Sequence, residues 1–108
     1  MSSPKRIEPG ETIDVKLGVS ERLSIQKLTM VEPEIAERVA KAPKEQPRIP
    51  FTLDELDDLI GHVAADLNHT TDENRKYWLE KLYSKIDYVL QRYTDEPEPS
   101  REKQEGVL

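Results

Sequence analysis

The feature that most constrains this 108-residue chain is a pair of amphipathic patterns, separated by the polar turn 68–71. Apolar residues recur at the helical spacing of about 3.6 residues and predict helices over about 52–68 and about 71–93. A turn this short makes consecutive helices antiparallel neighbours. The sequence therefore predicts a mainly α fold built on an antiparallel two-helix hairpin.

The two helical patterns differ in width. The first is a single stripe made of Leu53, Leu56, Leu59, Ile60, Val63, Ala64 and Leu67. The second is made of Trp78, Leu79, Leu82, Tyr83, Ile86, Val89, Leu90 and Tyr93. It spans about 140° of the helical wheel, which is wider than one partner helix can cover. We therefore expect either the N-terminal half of the chain or a second copy of it to cover the rest.

Both predicted helices carry start signals. Thr52 with Glu55, and Thr70 with Glu73, have the spacing of a capping box, in which two side chains bond the free amides of the first turn. Gly61 interrupts the first helix, at a cost of about 1 kcal/mol relative to alanine. This glycine predicts either a close approach of the N-terminal segment or a position without a structural role.

The N-terminal half is less clearly patterned. Alternating apolar residues predict a strand at 12–19, and short helices follow at about 20–28 and about 33–41, the second beginning at Pro33. Because the apolar positions of 23–30 fit neither a helical nor a strand period, a β-hairpin with 23–30 as its second strand is the alternative.

If the helix forms, the strand has no predicted partner, because three prolines indicate that 42–50 is an extended linker. We expect one small helical domain over 12–94 that contains this linker. The proline-containing N-terminus at 1–11 and the acidic tail at 95–108 are expected to be disordered.

Composition removes several classes of protein. The chain has no cysteine, which excludes disulfides and thiolate metal sites. No apolar run approaches the ~20 residues of a membrane helix, and the basic N-terminus lacks the apolar core of a secretory signal, so a cytoplasmic location is expected. Of the net charge of −6, the segment 51–69 carries five acidic and no basic residues. Without a concentrated basic face, nucleic acid is not an expected partner.

One cluster has the spacing of a metal site. His62, Asp66 and His69 fall on one face of the first long helix, and imidazole and carboxylate groups bind Zn²⁺. That face is predicted to be open to solvent, whereas a catalytic metal needs an enclosed site. The simpler interpretation is a solvated polar face. No nucleophile or nucleotide motif is present, so no catalytic residue and no cofactor are predicted.

A second cluster is suited to protein contact. Tyr77 and Tyr88 are eleven residues apart and return to nearly the same angle, beside Lys81 and Ser84, on the side of the second helix away from its apolar stripe. Tyrosine is apolar in its body and polar at its tip, which suits interfaces. The predicted protein-binding residues are Tyr77, Trp78, Lys81, Tyr88, Leu90 and Tyr93.

The sequence thus predicts a small, non-enzymatic protein-interaction or regulatory module, whose partner is another protein or a second copy in a homodimer. One alternative is a nucleic-acid-associated regulator of the antitoxin type, which would bind through Lys81, Lys85, Arg92 and the tyrosines. The other alternative is a small metal-dependent enzyme centred on the two histidines and Asp66.

Overall fold

A computed structural model describes residues 4–95 of the chain, so most of the predicted tail at 95–108 lies outside the described residues. The elements are, in order, β1 (Lys5–Arg6), β2 (Thr12–Lys16), α1 (Val19–Gln26), α2 (Pro33–Lys41), β3 (Arg48–Thr52), α3 (Leu53–His69), α4 (Glu73–Arg92) and β4 (Tyr93–Thr94). The predicted mainly helical class is confirmed, and a small sheet accompanies the helices.

The strand that was predicted without a partner has one, in the segment predicted to be a linker. Strand β2 pairs antiparallel with β3, which places Val15 opposite Ile49 and Asp14 opposite Pro50. The linker prediction for 42–50 is therefore wrong at its C-terminal end. Pro50 conceals the strand in the sequence, but a two-stranded sheet has only edge strands, and an edge tolerates a residue without an N–H.

Helix α1 replaces the alternative hairpin, and its burial explains why the region fits no single period. Ile25 and Leu28 are buried in the core, whereas Leu23 and Met30 are exposed. Apolar residues therefore lie on two opposite sides of this segment, so neither an inward stripe nor a strand alternation describes all of them.

The starts of the two long helices differ from each other. At α3, the Thr52 hydroxyl accepts a bond from the Glu55 amide at 3.1 Å, and the Glu55 carboxylate accepts from the Thr52 amide at 3.0 Å, as the sequence predicts. The capping box predicted at Thr70 is wrong. Helix α4 begins after Asp72, whose carboxylate accepts bonds from two amides of the next turn at 2.9 and 3.3 Å.

The core lies where α3 and α4 pack together under α1, α2 and the β2–β3 pair. It consists of Val15, Leu17, Ile25, Leu28, Ile35, Val39, Ile49, Phe51, Leu56, Leu59, Val63, Leu79, Leu82 and Ile86. Helix α1 contacts α4, so the N-terminal half covers the inner side of α4. Tyr83, which was predicted to belong to the buried stripe, is 38% exposed, so the buried stripe is narrower than predicted.

Two further positions on the long helices can be compared with their predictions. A Cβ atom added to Gly61 would meet nothing within 4 Å, so of the two alternatives for this glycine the structure fits the position without a structural role. Helix α4 ends at Arg92, where β4 begins and pairs in parallel with β1. Part of segment 1–11 thus lies against the end of α4, and its predicted disorder stays a prediction.

Within residues 4–95, no helix has the length and apolar character needed to cross a membrane.

Candidate interaction surfaces

The outer side of α4 carries the arrangement that the tyrosine spacing predicts. Five exposed residues lie along it, and we call them the tyrosine face: Tyr77, Lys81, Ser84, Tyr88 and Arg92. Their spacing of three or four residues keeps them within about 80° on the helical wheel. Tyr77 is 52% exposed and Tyr88 is 60% exposed. The face is therefore a continuous strip of exposed residues, four of them with large side chains.

Each tyrosine of this face is paired with the basic residue four positions later. The Lys81 ammonium lies 5.3 Å from the centre of the Tyr77 ring, and the Arg92 guanidinium lies 5.2 Å from the centre of the Tyr88 ring. Arg92 also donates to the Tyr88 hydroxyl at 2.9 Å. Cation–π contacts at this helical spacing stabilise the arrangement by about 0.5–1 kcal/mol each at exposed sites.

The other residues predicted to bind protein are not on this face. Trp78 packs edge-on against Tyr77, with ring centres 5.1 Å apart, but it is half-buried and lines a groove between α1 and α4. Leu90 and Tyr93 are also half-buried and line a cleft with Leu53. Of these three side chains, Leu90 packs against the core.

Lys85, one of the three cations considered for nucleic acid, is engaged elsewhere. Its ammonium bonds to the Glu21 carboxylate at 2.8 Å and to the Lys16 carbonyl at 2.8 Å, which ties α4 to α1 and β2. The two cations that remain on the tyrosine face, Lys81 and Arg92, are about 16 Å apart along the helix. A pair so widely spaced is not a concentrated basic patch.

The structure separates the residues of the candidate metal cluster, His62, Asp66 and His69, by their partners. Asp66 accepts bonds from the Arg75 guanidinium at 2.8 Å and from the Thr29 amide at 3.1 Å, and its side chain is only 11% exposed. The prediction of a solvent-open face is therefore wrong at this residue, because the start of α4 and the segment after α1 cover it. Within residues 4–95, no three His, Cys, Asp or Glu side chains are placed to hold a metal ion, and this includes His62 and His69.

A second acid of α3 is also paired across elements. Arg38 of α2 donates to both oxygens of Glu55, at 2.7 and 2.8 Å, and also to the Pro50 carbonyl at 3.0 Å. The hydrogen bonds from Arg38, with further ones from Thr52, hold the pKa of Glu55 below its ordinary value. Two of the five acids in the negatively charged segment 51–69 therefore hold elements together.

An apolar surface that the sequence did not predict lies on α1. Val19 and Leu23, one turn apart, are 67% and 47% exposed, and we call them the α1 ridge. Beside them is a cavity of about 290 Å³ that is lined in part by Leu17, Ala42 and Pro47. The signal was present in the sequence, since these two residues lie on the side of the helix opposite Ile25 and Leu28.

Arg22 lies between these two residues in the sequence and lines the same cavity. Its Nε donates to the Leu17 carbonyl at 3.4 Å, and its Nη1 donates to the Ala42 and Pro43 carbonyls at 3.2 and 3.1 Å. Its Nη2 donates to the Gln46 carbonyl. A buried guanidinium thus connects α1 to the segment between α2 and β3.

No protein-family model, no curated protein and no solved structure matches the chain. Its function is therefore inferred from the chemistry of these surfaces. The tyrosine face has two exposed aromatic side chains, each in contact with a cation, and the α1 ridge has two exposed aliphatic ones.

Proposed function

We propose that the chain is a small, non-catalytic protein-interaction module with a regulatory role in the cytoplasm, and that its partner binds the tyrosine face. The observation that carries this proposal is the exposure of Tyr77 and Tyr88, at 52% and 60%, on one side of one helix. Tyrosine and arginine are enriched among the residues that dominate binding at protein interfaces, whereas lone exposed tyrosines are ordinary.

The contacts between side chains within the tyrosine face also support the proposal. Immobilising a long side chain on binding costs about 0.5–1.5 kcal/mol, which weakens association. Here Lys81 and Arg92 already rest on the tyrosine rings, so part of this cost is met before a partner arrives. The same contacts direct both cations along the helix surface, which suits a protein surface better than a row of phosphates.

The helix that carries the face is firmly held on its other side. Leu79, Leu82 and Ile86 on the inner side of α4 are buried in the core. Ion pairs with Lys85 and Arg75 connect α4 to α1 and α3. A binding surface on a rigid element keeps its side chains at fixed spacing, which increases specificity.

The experiment is quantitative capture from the native cell with the immobilised full chain. The double variant Tyr77→Ala/Tyr88→Ala should reduce the captured partner by about tenfold or more, as expected for hot-spot residues. The matched control is Tyr83→Ala, which removes a tyrosine that is 38% exposed on the same helix but outside the tyrosine face.

The control should capture as much partner as the unmodified chain. Capture that survives in the double variant would overturn the proposal, and so would an equal loss in the control. Circular dichroism should show the same helical content in both variants as in the unmodified chain, because the substituted side chains lie at the surface.

A further inference from the structure

We infer that the partner on the tyrosine face is a second copy of this chain, bound with the two α4 helices antiparallel and their tyrosine faces in contact. The inference rests on the proposed function, because it takes the tyrosine face to be a protein-binding surface and specifies the protein.

The spacing of the face is what points to a second copy. In an antiparallel pair of identical helices, two residues meet when they lie at equal distances on either side of the crossing point. Tyr77 and Arg92 have their midpoint between Ser84 and Lys85, and Lys81 and Tyr88 have the same midpoint. A two-fold axis at that point places each tyrosine opposite a cation of the partner.

The pairing is complementary in charge as well as in spacing. The face of an aromatic ring attracts a cation, and the attraction strengthens as water is removed. In the dimer, Lys81 would lie between its own Tyr77 and the Tyr88 of the other copy, and Arg92 between its own Tyr88 and the other Tyr77. This is an isologous contact, in which both subunits use the same surface and that surface is complementary to itself. A different protein would have to supply the same alternation from an unrelated sequence.

The residue at the crossing point and the acids at the rim suit the same arrangement. Ser84 is the smallest residue of the face and lies beside the midpoint. At the crossing point of packed helices, the two helix axes are about 8–10 Å apart. Glu73 and Glu80 are exposed at the edge of the face, where their charges offset those of the four clustered cations. The dimer therefore does not concentrate charge of one sign at its centre.

The size of the contact sets its strength. The face extends from residue 77 to residue 92, which is about 22 Å of helix. A contact of one helix on one helix falls in the class of small interfaces that bury less than about 1,200 Å² in total. We therefore expect a reversible dimer with a dissociation constant in the micromolar range.

A single cysteine tests both the dimer and its register, because the chain has no cysteine of its own. In Ser84→Cys, the two thiols face each other at the crossing point, where Cα atoms about 4–7 Å apart allow a disulfide. In the matched control Asn74→Cys, the new thiol is exposed on the same side of the same helix. The proposed register separates the two control thiols by about 30 Å.

Mild oxidation should convert Ser84→Cys to a covalent dimer at least about tenfold faster than Asn74→Cys, because only the first variant brings its two thiols together in the dimer. Adding Tyr77→Ala/Tyr88→Ala to Ser84→Cys should reduce the rate to that of the control. Equal rates for the two cysteine variants, or a rate that does not respond to loss of the tyrosines, would overturn the inference.

Sedimentation equilibrium of the unmodified chain from about 10 µM to about 1 mM separates this inference from the proposed function. A dimer that Tyr88→Ala weakens by about tenfold supports the inference. A monomer throughout this range overturns it. If such a monomer still loses partner capture in the double tyrosine variant, the tyrosine face binds a different protein and only the inference falls; if capture is also unaffected, both fall.

Discussion

Helices α1 and α3 are attached to the same core by different means. Helix α3 buries an aliphatic stripe that includes Leu56, Leu59 and Val63. Helix α1 buries Ile25 together with three polar residues, Glu21, Arg22 and Ser24. Buried polar groups are costly unless they are hydrogen-bonded, and each of these three is bonded. The position of α1 therefore depends on specific partners, whereas that of α3 depends mainly on apolar area.

The two kinds of attachment predict different effects of single substitutions on stability. Truncating a side chain of a buried aliphatic stripe destabilises the protein in proportion to the volume removed, and the neighbouring side chains relax partly into the space. Replacing a buried, hydrogen-bonded charged residue destabilises the protein mainly because its former partners are left without a donor. Single substitutions in the two helices therefore test the comparison directly.

The largest effect is expected for Leu59→Ala in α3. Leu59 is 1% exposed, and truncating a buried leucine destabilises a small domain by about 3 kcal/mol through lost transfer energy and the cavity that remains. Urea unfolding followed by circular dichroism measures the change in the free energy of unfolding. A loss below about 1 kcal/mol would mean that the stripe does not hold α3 as the burial indicates.

The next largest effect is expected for Arg22→Met in α1. Methionine fills a similar volume but leaves four backbone carbonyls without their donor, which should destabilise the domain by about 2 kcal/mol. Arg22→Lys serves as the control, because it keeps the charge but carries three donors on a single nitrogen instead of five on a planar guanidinium, so it cannot reach all four carbonyls and should recover only part of the loss. A methionine variant as stable as the unmodified chain would show that α1 is held by apolar contacts, like α3.

The same difference explains how much the sequence predicts. The stripe and capping box of α3 follow from residue spacing alone, so its existence and inner face can be predicted. Arg22 and Glu21 of α1 look like surface residues in a sequence, because the Ala42 and Pro43 carbonyls that Arg22 binds and the Lys85 ammonium that Glu21 binds lie far along the chain. Strand β3 was missed for a related reason, since prolines obscure the alternation of Ile49 and Phe51.

The candidate surfaces divide in the same way. The tyrosine face follows from an eleven-residue spacing that any helix of this sequence would produce. The covering of Asp66 depends on Arg75 and Thr29, which lie on other elements, and no local pattern predicts it. Residues that act along one helix could therefore be predicted, and those that act between elements could not.

A smaller effect is expected for the polar anchor of α3. Glu55→Gln removes the charged partner of Arg38 and should destabilise the domain by about 1 kcal/mol at neutral pH, because the pair is only partly buried. Arg38→Met should give a similar loss if the pair acts as a unit. A loss as large as that of Arg22→Met would mean that α3 depends on its polar contacts as much as α1 does.

The pKa of Glu55 gives this contribution a dependence on pH. Because the folded chain lowers that pKa, the contribution is fully present above the ordinary glutamate value of about 4.3 and is lost as the pH falls through the lowered pKa. The difference in stability between the unmodified chain and Glu55→Gln should therefore narrow below that pH. A difference that stays constant down to acid unfolding would contradict the assignment.

The smallest effect has the opposite sign and concerns the outer side of α3. Gly61 is exposed within the helix, and a methyl group added there meets nothing within 4 Å, so Gly61→Ala should stabilise the domain by about 0.5–1 kcal/mol. The matched control is Gly18→Ala at the N-cap of α1, where alanine is a poorer cap than glycine and the Glu21 carboxylate lies 3.6 Å from the added atom. The control should be neutral or slightly destabilising by thermal unfolding. Stabilisation at Gly61 alone would support a constraint on the inner side of α3 only, whereas equal stabilisation at both glycines would remove the distinction between the two helices.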